Sequence, residues 1–439
     1  MKFSNLPLSL TDMSAPVIGI ASRTQTPKGL RLHIGLFGRR NAGKSSLINA
    51  LTNQKIAIVS DVPGTTTDPV EKACELAPIG PVVFIDTAGV DDVGELGGLR
   101  TERSLAVLGW VDVALIVCDA KALTESELEL IRTVKSTATP TVVVLNKADT
   151  ADAKELIATQ EQVRSLGYEP VTVCASQKLN IDAVREAIVK LAQNAVEPDL
   201  PLLGDLVHPG DTVMLVTPID TGAPKGRMIL PQVQAIREVL DADAKCIVVR
   251  ENRLAETLTN EKESPAFVVT DSQVVQSVVA QTPKTIPVTT FSIQMAYSKC
   301  DLVEMARGAA MIDFLRPGDK VMICETCSHH PQPDDIGRKK LPRWLAKKVG
   351  GELDIEVVVG KDFPVDLTPY KLILQCGGCV VTRRHMLTRL AQAKRQNIPM
   401  TNYGVAISHL QGVLERALEL HPKALKAFHE AREIFANHF

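Results

Sequence analysis

The apolar run LHIGLFG, from Leu32, passes directly into GRRNAGKSS, from Gly38 to Ser46. A strand, then G-x-x-x-x-G-K-S, then a helix is a narrow structural demand, because the loop has to leave a parallel sheet and start a helix at once. Its backbone N–H groups and the helix amino terminus offer fixed positive potential to phosphate oxygens. In that geometry Gly43 lets the chain approach the phosphates, and Lys44 reaches the outer ones. The Ser45 hydroxyl turns to Mg2+, and Ser46 continues into the helix.

Further strand-like runs follow at regular intervals: PVVFIDT from Pro81, DVALIVCD from Asp112, TVVVLNK from Thr141 and EPVTVCA from Glu169. Helical patterns fill the gaps, as in a parallel α/β sheet. EPDLPLLGDLVHPGD, from Glu197, is rich in Pro and Gly and reads as a linker. A second alternation carries TVMLVTP, KCIVVRE, AFVVTDS and TIPVTTFS, and a third carries KVMICE, LDIEVVV and KLILQC.

Two motifs specify the nucleotide. In DTAG, Asp86 would hold Mg2+ through water and the Gly89 N–H would meet a γ-phosphate. NKAD supplies Asn146, Lys147 and Asp149. The Asp149 carboxylate matches the paired N–H donors of guanine; adenine lacks that pair and would leave the carboxylate unmet. VCAS places Ala175 in a loop suited to the base, with Cys174 before it. Val90 follows DTAG where a glutamine would orient water. Asp91, Asp92 and Glu95 are the nearby acidic residues, and the catalytic group is not identifiable from sequence.

A chain of 439 residues exceeds one hydrophobic core, so several domains are expected. The net charge of −2 and the 4% aromatic content argue against a nucleic-acid or anionic-membrane surface. No apolar run is long enough to cross a bilayer, and the first residues lack a signal-peptide pattern. Nine scattered cysteines then point to reduced thiols and a cytoplasmic setting.

Four of those cysteines form two C-x-x-C pairs, Cys324 with Cys327 and Cys376 with Cys379. Spacing alone admits a tetrahedral zinc site, an iron–sulfur site or four structural thiols. His329, Asp334 and Asp335 lie beside the first pair. Cys74, Cys118, Cys246 and Cys300 are isolated and read as core residues.

Residues 32 to 195 resemble an Era/TrmE-type GTPase. SDVPGTTTD, from Ser60, resembles the switch segment of that group, with Thr67 where Arg is usual. The resemblance implies that Thr66 completes the Mg2+ shell in the GTP state. It also implies that Asn41 helps bind K+, with slow, potassium-stimulated hydrolysis of GTP to GDP.

The chain as a whole resembles the FeFe-hydrogenase maturation GTPases, the HydF family. The resemblance rests on Cys327-Ser328-His329, QCGGC, GAPKGRMILPQVQAIREVLD (from Gly222), HHPQPDDIGRKKLPR (from His329) and TNYGVAISHL (from Thr401). It implies an α/β chain: a P-loop GTPase domain followed by two smaller α/β domains with mainly parallel sheets. The expected division is an arm at 1–30, a GTP-binding domain at 31–197, a dimerisation domain at 198–288 and a cluster domain at 289–439. It further implies a 4Fe–4S cluster on Cys327, Cys376 and Cys379, and a homodimer. The family carries the two-iron precursor of the hydrogenase active-site cluster, made with the radical-SAM maturases HydE and HydG and handed to apo-hydrogenase.

This sequence departs from the family pattern at Gln375, which stands where a histidine is usual, and at the extra Cys324. The fourth cluster position is left to His329, Asp334, Cys324 or water. Cys324 also reads as a buried strand residue, and His329 as a hydrogen-bonding group. The competing reading is a TrmE-like GTPase that assists RNA modification and carries a structural zinc.

Overall fold

The computed structural model describes residues 26–52, 69–87, 106–194, 200–219, 228–326, 335–360 and 362–437. Three sheets organise them. The first contains β1 (Leu32–Phe37), β2 (Val70–Leu76), β3 (Gly80–Asp86), β4 (Val113–Asp119), β5 (Thr141–Asn146) and β6 (Val171–Thr172), in the order β2-β3-β1-β4-β5-β6. All pairs are parallel except β2 with β3. Sequence reading missed β2, whose half-exposed alternation VEKACEL lacks the continuous apolar run of the buried strands. It overestimated β6, where EPVTVCA keeps only two ladder residues before turning into a loop closed by the Cys174–Leu179 bridge.

Local sequence fixes the helices between these strands. Thr124 and Glu127 form a reciprocal capping box at the start of Glu125–Ser136, and Asp152 and Glu155 do the same for Ala153–Ser165. On both faces of the sheet, Val, Leu and Ile from β1, β4 and β5 are wholly buried. Each such side chain contributes about 1.5–3 kcal/mol by leaving water.

The second sheet holds β7 (Thr212–Val216), β8 (Lys245–Val249), β9 (Phe267–Thr270) and β10 (Val288–Thr290), ordered β10-β9-β7-β8 and parallel throughout. Because β10 ends at Thr290, this sheet runs slightly past the boundary expected at residue 288. The stretch read as a linker is packed where it is described. Leu202 and Leu203 are fully buried, and the Glu238 carboxylate accepts hydrogen bonds from the Leu202, Leu203 and Gly204 N–H groups. Pro and Gly marked an irregular backbone there, and the two leucines anchor it.

The third sheet holds β11 (Lys320–Glu325), β12 (Asp354–Val359), β13 (Leu372–Gln375) and β14 (Met400–Asn402), ordered β12-β11-β13-β14 and again parallel. Helix Phe291–Lys299 joins the last two units. It buries Phe291 and Met295 in the second core and Ile293 and Ala296 in the third. Of the isolated cysteines, Cys118 and Cys300 are buried as expected, whereas Cys74 and Cys246 are half-buried. The latter two lie on β2 and β8, which are edge strands.

A seam connects the first unit to the third. Trp110 stands edge-on to His33 at 6.2 Å between ring centroids and stacks on His385 at 6.5 Å. Arg384 Nη2 donates to Thr139 Oγ1 at 2.9 Å. The turn Lys28–Leu30, just before β1, meets the second cysteine loop so closely that a Cβ on Gly29 would lie 2.5 Å from the Cys379 carbonyl oxygen. The buried Lys299 ammonium donates to the Gly29 carbonyl (2.5 Å) and lies 3.4 Å from that of Val381. Only glycine fits this approach.

Within the third unit, Asp313 ties three helices. It accepts from His409 Nε2 at 2.9 Å, and Lys348 Nζ and Arg432 Nε lie 2.8 and 3.2 Å away. Burial alone would raise its pKa, but hydrogen bonds and charge from His409 and Lys348 hold the carboxyl well below the usual range. A depressed folded-state pKa stabilises the fold above the unfolded value of about 3.9. That contribution is lost as pH falls below about 4. Asp313→Asn is expected to lower neutral-pH stability by about 2 kcal/mol. It should also flatten the acid limb of a denaturation series, and an unchanged limb would contradict this role.

Candidate functional site

The segments that follow β1, β5 and β6 meet at a cavity of about 470 Å³, lined by Asn41, Gly43, Lys44, Ser45, Ser46, Asn146, Lys147, Asp149, Thr150 and Ser176. The phosphate loop leaves β1 and enters helix Lys44–Thr52. Asn41 takes a left-handed φ of +62° and Gly43 one of +95°. A Cβ on Gly43 would lie 2.1 Å from Asn146 Nδ2, so only glycine serves there.

Lys44 folds over this loop, donating to the Gly38 and Arg39 carbonyls at 2.9 and 3.0 Å. Ser45 Oγ donates to Asp86 Oδ2 at 3.2 Å. Burial raises the Asp86 pKa, while the charge of Lys44, the Ser45 hydrogen bond and the charge of Lys72 oppose the rise. Asp86 Oδ1 is buried without a hydrogen-bond partner. A hydroxyl beside an unpartnered carboxylate oxygen suits a hydrated divalent cation with phosphate oxygens as its other ligands.

Asn146 connects the phosphate loop to the base loop. Its Nδ2 donates to the Ala42 carbonyl at 2.9 Å, and its Oδ1 accepts from the Ala175 N–H at 3.0 Å. Lys147 adopts a left-handed φ of +61° and reaches Asp119 at 3.3 Å. Asp149 is held on both oxygens, by Cys174 Sγ at 3.1 Å and Gln177 Nε2 at 3.2 Å. Gln177 was not legible in sequence, because nothing in VCAS marks the residue two positions beyond Ala175 as a partner for Asp149. Thr66, Gly89, Val90, Asp91, Asp92 and Glu95 lie outside the described residues.

The second pair of cysteines leaves the carboxyl end of β13. Cys376 Sγ lies 3.2 Å from the Thr326 N–H donor, 3.0 Å from the Thr326 hydroxyl and 3.5 Å from Gln375 Nε2. The Thr326 and Gln375 N–H groups thus donate to this sulfur, and the Thr326 hydroxyl lies against it. Cys379 is half-buried, and its thiol is pushed up to about 11, first by burial and then by Cys376. Cys324 is wholly buried within β11, with its pKa raised to about 12 by burial, and it packs with Met322 and Ile373.

Gln375, also fully buried, accepts at Oε1 from Arg389 Nη1 at 3.0 Å. Burial works against the Arg389 charge, while the nearby Cys324 and Cys376 sulfurs favour it. Among the described residues, no group of three His, Cys, Asp or Glu side chains is placed to hold a metal. Cys327, His329 and Asp334 lie outside them. The described part therefore contributes two thiols on one loop, a donor set that fits thiolate ligation of a metal or cluster.

Three family models match consecutive parts of the chain. A 50S ribosome-binding GTPase model matches residues 33–147, a hydrogen maturase F dimerization domain matches 202–300, and a hydrogen maturase F tetramerization domain matches 303–420. Among curated proteins, the tRNA modification GTPase MnmE of Trichormus variabilis is 38% identical over 167 residues, covering 37% of this chain and 34% of that protein. GTPase Der of Wolinella succinogenes is 34% identical over 172 residues, covering 37% and 36% respectively. The chain thus spans about a third of the length of these relatives.

A crystal structure of Aquifex aeolicus Era matches with a TM-score of 0.33 and 20% identity, covering 52% of this chain and 97% of Era. The fold of the first unit rests on its own sheet and the GTPase model rather than on that overall likeness. With a GTPase domain at its head and two hydrogen maturase F domains behind it, the chain is a HydF-type GTPase and belongs to the hydrogen maturase F family.

Proposed function

We propose that this chain hydrolyses GTP slowly and serves as an iron–sulfur scaffold and carrier. In this reading it assembles the two-iron precursor of the FeFe-hydrogenase active-site cluster and delivers it to apo-hydrogenase. The carrying observation is Cys376, whose sulfur is met by two N–H donors and the Thr326 hydroxyl at the end of a buried strand beside Cys379. The hydrogen maturase F domains give that arrangement its context.

In the nucleotide site, Lys44 exchanges its two loop carbonyls for β- and γ-phosphate oxygens. Ser45, Asp86 and Thr66 hold Mg2+, and Asn41 assists K+. Gly43, Ser46 and Gly89 present backbone N–H groups to phosphate. Asp149, fixed by Cys174 and Gln177, accepts the guanine donors, with Asn146, Lys147 and Ala175 framing the base. Val90 brings no water-orienting amide, so turnover stays slow and the domain works as a switch.

In the cluster site, Cys327, Cys376 and Cys379 are the thiolate ligands of a 4Fe–4S cluster. When bound, the cluster supplies one iron open to exchangeable ligation. Desolvation of Cys379 keeps competing water away, and Thr326 and Gln375 orient the Cys376 sulfur. Cys324, sealed in apolar packing inside β11, is a core residue in this reading, leaving His329, Asp334 or water for the open position. Gln375 bonds Arg389 and faces Cys376, as a supporting group.

In this reading the domains divide the work into nucleotide, dimerisation and cluster units. The free edge of the second sheet supports a homodimer: β8 carries the exposed Val248, and helix Leu230–Asp241 exposes Val233 and Leu240 nearby. HydE and HydG supply the precursor parts in this scheme. A cytoplasmic setting is supported by free thiols at all eight described cysteines. Among the described residues, no helix is long and apolar enough to cross a membrane. The likeness to a tRNA modification GTPase covers only 37% of this chain and 34% of that protein, so an RNA role is not carried over from it.

Two substitutions test the two sites. Asp149→Asn is expected to reduce GTP binding by roughly 100-fold while iron uptake is unchanged. Retained GTP preference in a nucleotide competition assay would contradict the base contact. Cys376→Ser should take up no iron or sulfide on anaerobic reconstitution, with GTP turnover within about twofold of the parent, as expected for separate sites. Normal iron content in this variant would remove Cys376 from the ligand set.

A further inference from the structure

Behind Cys376 lies a buried cation that the nucleotide and ligand roles leave unused. Arg389, in helix Arg383–Arg395, is 2% exposed. Its Nη1 donates to Gln375 Oε1 at 3.0 Å. Its Nη2 donates to the Gly360 carbonyl at 2.9 Å and lies 3.5 Å from that of Asp362. The guanidinium also sits 5.0 Å from the centroid of the Phe363 ring. Arg389 Nε is buried with no acceptor.

All these partners are neutral groups, and none of the ion pairs among the described residues involves Arg389. A lone buried cation is costly unless an anion sits within reach. The Cys324 and Cys376 sulfurs and the Asp362 carboxylate are the negative groups near enough to favour its charge. Gln375 makes the connection, with Oε1 on Arg389 and Nε2 3.5 Å from Cys376 Sγ. Tyr403 adds a second buried donor without a partner at its hydroxyl. Thr326 presents both its N–H and its hydroxyl to the same sulfur.

We propose that Arg389, acting through Gln375, is a positioning residue that balances the negative charge gathered at Cys376 and thereby sets the reduction potential of the cluster bound there. This rests on the reading that Cys376 and Cys379 hold an iron–sulfur cluster. A nearby fixed positive charge favours the more negative, reduced state and raises the potential; its removal lowers it. A purely mechanical brace for the Gly360 and Asp362 carbonyls would leave the potential untouched. A neutral amide transmits the guanidinium's polarity to the sulfur without binding iron itself.

The test uses the full chain, reconstituted anaerobically with iron and sulfide. The parent, Arg389→Met, Arg389→Lys and Gln375→Leu are compared for iron content, for unfolding midpoint and for potential by a redox titration followed by electron paramagnetic resonance. Arg389→Met should keep its iron but show at least a tenfold smaller reduced-to-oxidised ratio at a given potential, a downward shift of about 59 mV for one electron. Arg389→Lys should restore most of the parental value, because the charge returns. Gln375→Leu should fall between them, and it carries the test if Arg389→Met does not fold. Loaded Arg389→Met and Gln375→Leu proteins at the parental potential would overturn the proposal alone. Parent protein that takes up no iron would overturn the cluster reading and this proposal with it.

Discussion

A parallel sheet brings the carboxyl ends of its strands together along one edge, where loops can converge without interrupting the ladder. Both candidate sites depend on this constraint. β1 and β5 deliver the phosphate loop and the Asn146–Asp149 segment to one cavity, and β3 brings Asp86 to Ser45 beside it. In the third sheet, β11 and β13 run side by side, so Thr326 and Cys376 meet just beyond their ends. The hydrogen bond from the Cys376 N–H to the Cys324 carbonyl is the last rung of that ladder, and it leaves Cys324 inside the sheet and Cys376 outside it. The two C-x-x-C motifs therefore begin differently, one with a cysteine in the core and the other with a cysteine in a loop.

Much of the fold was legible because buried parallel strands read as continuous apolar runs. DVALIVCD and TVVVLNK are such runs, and both became strands. β2 and β14 escaped because one is a half-exposed antiparallel edge and the other is three residues long, so long-range pairing rather than pattern defines them. In the nucleotide site, Lys44, Ser45, Asn146 and Asp149 were readable from motifs whose spacing encodes geometry. Gln177 was not, since its value comes only from lying opposite Asp149. In the cluster region, Arg389 is hidden in RRHMLTRLAQAKR, which reads as a basic solvent face, and only packing reveals that this arginine turns inward. Thr66, Gly89, Cys327, His329 and Asp334 stand as sequence expectations outside the described residues.

The two sites are also neighbours through the backbone. The turn that feeds β1 touches the Cys379 carbonyl at Gly29, and Lys299 fastens the same turn to the cysteine loop. Trp110, lodged between His33 and His385, packs the nucleotide unit onto the helix that begins directly after that loop. One end of β1 therefore reaches the phosphate loop and the other reaches the cysteines. A rigid strand with a functional loop at each end gives the chain a short physical connection between its two chemistries.

The central claim is that this GTPase carries a three-thiolate iron–sulfur cluster with one open iron. Electron paramagnetic resonance of the reduced, anaerobically reconstituted protein, recorded with and without added imidazole, tests it most directly. The account predicts a 4Fe–4S signal whose g-values move when imidazole occupies the open position. A protein that takes up stoichiometric zinc and no iron, or a cluster signal indifferent to imidazole, would contradict it.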